Sequence, residues 1–226
     1  MHAASSGGEG GAAQKPKRRE RDDSRRDTAK RIWEAADELF CDRGYEGVSV
    51  ADIATRAGVN KALVFYHFQS KEGLFEQVVS RYYDAHRMAL ASAFESGGTV
   101  GERLHRLVDA YLDFMNQNRR YAALVQQEVA DRETHPLIAR HLRPLFDWFE
   151  QALAEVTTSE GPLAARHFFV TFSGITINYF TYAPLLSAVW GRDPLCEEAL
   201  AERRAHVHWL VDTLLAGLAA AKEKRE

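Results

Sequence analysis

Cysteine is almost missing from this 226-residue chain: there are two, Cys41 and Cys196, far apart. That excludes a disulfide scaffold and predicts free thiols in a reducing cytosol. Proline is scarce, at six residues, so few segments are barred from helix. No stretch alternates apolar and polar residues as a half-buried strand would, and no internal repeat is evident. The amino-terminal MHAASSGGEGG has no apolar run, so a signal peptide is not expected. HExxH and Gly-rich phosphate loops are absent as well. An enzyme would have to draw on His135, His141, His167, His206 and His208. His135 and His141 are six apart, and His206 and His208 would point to different sides of a helix. Neither is a metal-ligand spacing, so capping or solvated histidines are expected, with no catalytic residue, metal or other cofactor.

What is present suits an all-α globular protein. The chain is 46% hydrophobic and 27% charged, enough for a sizeable core. Net charge is only −3, but its distribution is uneven: residues 1–31 hold nine Lys/Arg against five Asp/Glu. A basic end on an acidic body fits nucleic-acid contact confined to one end.

The most informative stretch is Ser49 to Lys71, SVADIATRAGVNKALVFYHFQSK. Ser49 is placed as an N-cap, with Asp52 completing a capping box. Val50, Ile53, Ala54 and Ala57 fall on one helical face, and Gly58 follows where a left-handed residue ends a helix. Asn60 caps a second short helix, and Ser70 starts a third. A short helix, a three-residue turn and a second short helix is the layout of a helix-turn-helix, whose second helix enters the major groove. An ordinary helical hairpin is the plainer alternative. Lys61, Tyr66 and His67, with few acidic neighbours and with Lys71 just beyond, favour the first reading.

The run YHFQSKEGLF at 66–75, preceded by ADIATRAGVNKALVF, closely resembles the DNA-binding domain of TetR-family transcriptional repressors, from about Arg25 to Val79. The resemblance implies a three-helix head over 25–79, behind a disordered basic arm at 1–24, and a helical effector-binding and dimerisation domain over 80–226. In that arm Lys15, Lys17, Arg18, Arg19 and Arg21 could touch phosphate or a minor groove, or merely solvate a tail. Carried over by position, Ser49 and Lys71 touch phosphates, and Tyr66 and His67 meet backbone or wedge the helix. Lys61, Ala62, Leu63 and Phe65 form the exposed front of the second short helix. Here the chain departs from the commoner pattern SKGTLYYHF: Leu63 and Phe65 lack the hydroxyls relatives give to phosphate. Apolar contact with thymine methyls can replace them, leaving Lys61 as the main polar reader.

Beyond the head, amphipathic helices are expected over about 71–94, after the Thr99–Glu102 capping box, from Asn118, and up to about Val156 with Pro144 kinking or restarting the last of these. Residues 167–191 contain no Asp, Glu, Lys or Arg. Their scattered Ser, Thr, Asn and His argue for a helix buried on all sides, not a membrane span. A last amphipathic helix runs over about 197–221, with Leu200, Val207, Leu210, Val211, Leu214 and Leu218 at helical spacing. The last two long helices, paired with their copies, would make a homodimer seam. In the family a small molecule binds among the middle helices and changes the spacing of two heads. Tyr111, Met115, Trp148, Phe149, Phe172, Asn178, Tyr179 and Tyr182 are the candidate effector contacts, with Thr176 and His167 as embedded polar groups. The expected function is a cytoplasmic repressor released from a pseudopalindromic operator by a small molecule. Its alternatives are a constitutive DNA binder and a ligand or protein-binding module that has lost DNA binding.

Overall fold

The structure, a computed structural model, describes the backbone of residues 15–223 and the side chains of residues 23–221. The helices are α1 (Lys15–Arg43), α2 (Val50–Ala57), α3 (Lys61–Phe68), α4 (Lys71–Phe94), α5 (Val100–Gln117), α6 (Arg119–Ala130), α7 (His135–Ala152), α8 (Ala165–Thr181), α9 (Ala183–Trp190) and α10 (Glu197–Glu223). No strand occurs among the described residues beyond one isolated bridge between Thr158 and Ala164. None of the helices is long and apolar enough to cross a membrane.

The three starts read from the sequence are built as capped helices. The Ser49 hydroxyl accepts the Asp52 amide at 3.2 Å, while the Asp52 carboxylate accepts the Ser49 amide at 2.9 Å. Asn60 accepts the Leu63 amide at 3.0 Å, and Ser70 the Gly73 amide at 2.9 Å. These bonds satisfy amides that a helix start leaves orphaned. Gly58 turns left-handed at φ 65°, ψ 41°, and its amide reaches back to the carbonyls of Ala54 and Thr55. Arg31 of α1 secures the same corner, donating to the Ala57 carbonyl at 2.5 Å and the Gly58 carbonyl at 3.2 Å.

Helices this short bury little alone, so the head depends on its neighbours. Ile32, Ala36 and Phe40 of α1, Ile53 of α2, Val64 of α3 and Phe75 of α4 are all nearly inaccessible. Phe40 and Phe75 meet edge to face at 5.0 Å, and Tyr45 closes the group 4.9 Å from Phe75. Helix α4 carries the core onward to α5 and α7, α6 packs on α1 and α8, and α10 lies along α5.

Three expectations need revision. First, α1 starts at Lys15, so residues 15–24 of the expected arm have helical backbone; residues 1–14, and the side chains of Lys15, Lys17, Arg18, Arg19 and Arg21, lie outside the described residues. Second, the uncharged run is not one buried helix but two, α8 and α9. Pro184 has no amide to give the Phe180 carbonyl and its ring crowds that carbonyl, so α8 ends at Thr181 and the chain restarts at Ala183. Third, α7 does not restart at Pro144, since one helix runs through it, and it ends at Ala152, short of Val156. Pro144 lies on the exposed side, where a carbonyl deprived of its amide can turn to water.

A side chain at position 58 would be forced into the left-handed region, with its Cβ 3.0 Å from the Arg31 guanidinium. Gly58→Ala is expected to cost about 1–2 kcal/mol, read as a lower midpoint in urea unfolding.

Candidate nucleic-acid face and effector cavity

Helix α3 has two unlike sides. Val64 and Phe68 go into the core, whereas Phe65 is 49% and Tyr66 58% exposed. Lys61 and Ala62 are also exposed, and Leu63 and His67 are half-buried. The Arg25 guanidinium of α1 lies 5.2 Å from the centre of the Tyr66 ring. Lys71, half-buried, holds its Nζ 4.0 Å over the Tyr45 ring, an attraction between cation and ring face that fixes the amine near the head surface. Ser49 is more committed than its position suggests. Its hydroxyl lies 2.5 Å from the Asp52 carboxylate, and bonds from Ser49 hold that carboxyl below the usual range. An ionised Asp52 already complements the α2 N-terminus, so a phosphate arriving there must compete with it.

A cavity of about 440 Å³ opens among α4, α6, α7 and α8. Val125, Ile138, Leu142, Leu145, Phe169 and Ile177 supply apolar wall. A small inner chamber continues from it toward Tyr111, Phe149, Phe172 and Thr176. The buried ionisable groups in the cavity cluster on α4 and α6, while His135 of α7 and Ser173 of α8 also line it. Glu128 is 3% exposed and His86 2%. The Tyr83 hydroxyl donates to Glu128 Oε2 at 3.4 Å, and the Tyr121 hydroxyl lies 3.4 Å from His86 Nδ1. Glu128 Oε1 and His86 Nε2 have no protein partner. Burial pushes the Glu128 carboxyl up to about 8, against a smaller lowering by Tyr83. Burial also pushes the His86 ring down to about 3. Both groups are therefore mainly uncharged at neutral pH.

Of the expected effector contacts, Tyr111, Phe149 and Phe172 line the inner chamber, as does Thr176. The others are not at its walls. Met115 is sealed in the core at 0% exposure. Trp148 stands edge-on to Phe94 at 5.9 Å. Asn178 and His167 are exposed. The Tyr179 hydroxyl donates to the Pro194 carbonyl at 2.6 Å, with Arg203 5.0 Å from its ring, so it anchors the segment leading into α10. Tyr182 ends α8 and is 50% exposed. The physical reason is helical phase: Phe169, Phe172, Ser173, Thr176 and Ile177 form the stripe that faces the cavity, and 178, 179 and 182 fall outside it. Glu128 and His86 were not anticipated. The signal for Glu128 was present, because Tyr121, Val125 and Glu128 recur at i, i+4 and i+7.

The remaining described histidines form no shared site beyond one stacked pair, His105 and His208, with ring centroids 4.5 Å apart. His135 lies 3.3 Å from the Val129 carbonyl, His208 2.8 Å from Asp109, and His206 stacks on Trp209 at 5.8 Å. His141 is 3.7 Å from Glu76. Among the described residues no three His, Cys, Asp or Glu are grouped to hold a metal.

Two family models match the chain: bacterial regulatory proteins, tetR family, over residues 32–78, and the tetracyclin repressor-like C-terminal domain over residues 101–211. The HTH-type transcriptional activator FasR of Mycolicibacterium smegmatis is 29% identical over 132 residues, which are 58% of this chain and 59% of FasR. The probable HTH-type transcriptional regulator YttP of Bacillus subtilis is 31% identical over 136 residues, 59% of this chain and 64% of YttP. The chain thus spans less than two thirds of either relative. A solved structure, AibR in complex with isovaleryl coenzyme A and operator DNA, shares the fold: TM-score 0.64, 20% identity, 81% of this chain and 97% of that one.

The raised Glu128 carboxyl has a thermodynamic consequence. The folded chain keeps that proton up to about pH 8, whereas an unfolded glutamate loses it near 4.3. Its contribution is therefore fully present below the unfolded value and is lost as pH rises through 8. The melting temperature is expected to fall between about pH 6.5 and pH 8.5, above the range where the neutral His86 ring adds stability with rising pH, and Glu128→Gln to flatten that fall, as measured by thermal denaturation in parallel buffers.

Proposed function

The chain belongs to the TetR family of bacterial regulatory proteins, and on that premise we propose that it is a cytoplasmic, ligand-responsive transcriptional regulator working as a homodimer on an operator. The observation that carries this reading is α3, a capped helix that leaves Lys61, Ala62, Phe65 and Tyr66 open to solvent. Packing in the described core does not account for two aromatic rings left about half exposed beside a lysine and Arg25. A major groove does, offering phosphates to the cations and thymine methyls to the apolar groups. Lys61 reads bases, Lys71 and Arg25 meet phosphates, Tyr66 and His67 brace the helix against the backbone, and Leu63 and Phe65 supply apolar contact. Ser49 acts chiefly as the cap that fixes the angle of α2.

One head binds weakly, so two are needed on a pseudopalindromic site. A seam formed by α8, α9 and α10 is supported by Val170, Leu185, Val189, Trp190 and Trp209, which are 47–71% exposed in the single chain. Large apolar residues gathered on neighbouring helices mark a surface that another copy can cover.

The effector enters the cavity beside α6. Arg120 of α6 donates to the buried Asp37 of α1 at 3.2 Å, and the next residue, Tyr121, lines the cavity. A ligand that prefers a different seat for α6 shifts α1, and with it α2 and α3, by as much as that preference allows. The complex of AibR with isovaleryl coenzyme A and operator DNA supports a fold that serves both ligands. We read the output as release from the operator on effector binding, through binding alone and without catalysis.

Selection of bound duplexes from a random pool tests the reading. A twofold-symmetric preferred site and a steep salt dependence are expected, and a flat pool would sink it. Lys61→Ala should lose about 1–3 kcal/mol on the selected site and relax choice at the bases it reads. Lys71→Ala should weaken every sequence alike and lower the salt slope by about 1. Arg120→Ala should leave both ligands binding but shrink the effector's influence on DNA affinity, measured by fluorescence anisotropy with and without effector. An undiminished influence would remove α6 from the signal path.

A further inference from the structure

Two buried polar atoms face one apolar cavity without partners: Glu128 Oε1 from α6 and His86 Nε2 from α4. Groups this deeply buried are almost always hydrogen-bonded, and leaving them unpaired is costly. Their other atoms are already engaged, Oε2 by the Tyr83 hydroxyl and Nδ1 by that of Tyr121. Both residues are thus oriented, with one bonding position each left toward the cavity.

We propose that the cavity selects a neutral, lipophilic effector bearing a hydrogen-bond-accepting oxygen, such as an ester or thioester carbonyl, which the Glu128 carboxyl and the His86 ring hold. This rests on reading the cavity as the effector site. Three features fix the chemistry. The wall is mostly apolar and aromatic, with Ser173 and His135 the only polar side chains outside this cluster and the tyrosine hydroxyls, so the body of the ligand must be lipophilic. None of the residues lining it is Lys or Arg, so a buried anion would lack a counter-charge. Burial keeps Glu128 protonated at neutral pH, so it offers an O–H, and an ammonium ligand would first have to expel that proton. In the tautomer whose Nδ1 accepts from Tyr121, His86 presents an N–H beside it. The titratable groups around Glu128 are Tyr83 and His86 from α4, Tyr111 from α5, Tyr121 from its own helix and His135 from α7, while α8 adds the hydroxyl of Ser173.

The test is calorimetric titration of the full chain with methyl decanoate, decylamine and decanoate at pH 7.5 and pH 9.5. Methyl decanoate should bind best at pH 7.5 and weaken on the order of tenfold at pH 9.5, as Glu128 loses its proton. Glu128→Gln, whose amide can still donate, should bind the ester within about threefold of the parent, with no fall between the two pH values. Glu128→Leu should lose about tenfold. The proposal is overturned if decylamine binds more tightly than the ester and gains from pH 7.5 to 9.5, if Glu128→Leu leaves all three probes unchanged, or if none of them binds. The parent chain's pH dependence stands even if a variant folds poorly. A gel shift on a selected duplex keeps the outcomes separate. An ester that binds as described without altering DNA affinity supports this proposal and defeats the regulatory reading. DNA binding that persists while every probe fails does the reverse.

Discussion

A buried carboxylate holds the two halves of the molecule in register. Asp37, 6% exposed, faces Arg120 at 3.2 Å, and the Cys41 thiol lies 3.8 Å from its other oxygen. A carboxylate taken out of water needs its partner, because removing one side of such a pair strands a charge. Helices α1 and α6 are therefore not free to slide independently. Helix α1 in turn sets the head, gripping the α2 corner through Arg31 and the flank of α2 through Glu38, which takes Arg56 at 2.9 Å. The orientation of α3 and the position of one cavity wall share this single reference.

The same neighbourhood explains Cys41. It is 2% exposed, and burial pushes its thiol far up. A thiol that does not ionise is a poor nucleophile and a poor redox sensor. It serves as a small apolar filler between the head and α6. The cavity follows the same economy on a larger scale: Glu128 and His86 are accommodated by shedding charge, not by recruiting a counter-ion.

The head was legible in the sequence because its signals are local. Ser49, Asn60 and Ser70 each announce a helix three residues before the bond that proves it, and Gly58 marks the only left-handed corner between α2 and α3. Long-range facts were not legible. The uncharged run at 167–191 reads as apolar on every side, and only the packing of Phe168, Thr176 and Tyr179 inward, with Val170 and Val189 left outside, separates its faces. Asn178 looked like an embedded polar group, but helical phase put it in solvent. Glu128 hid among the polar residues of VQQEVA, since a glutamate is ordinarily a surface residue. Its place on the inward stripe with Tyr121 and Val125 was the clue. The lengthened α1 was obscured by a charge-rich stretch with no apolar stripe to phase it.

The uncovered rings of Phe65 and Tyr66 also shape how the molecule behaves when no duplex is near. They form an adhesive spot at the tip of each head, and two such spots gain by covering one another. The chain carries a net charge of −3, so approaching molecules repel modestly until dissolved ions screen them. Concentrated stocks should thus stay clear in dilute buffer and turn turbid as ionic strength climbs.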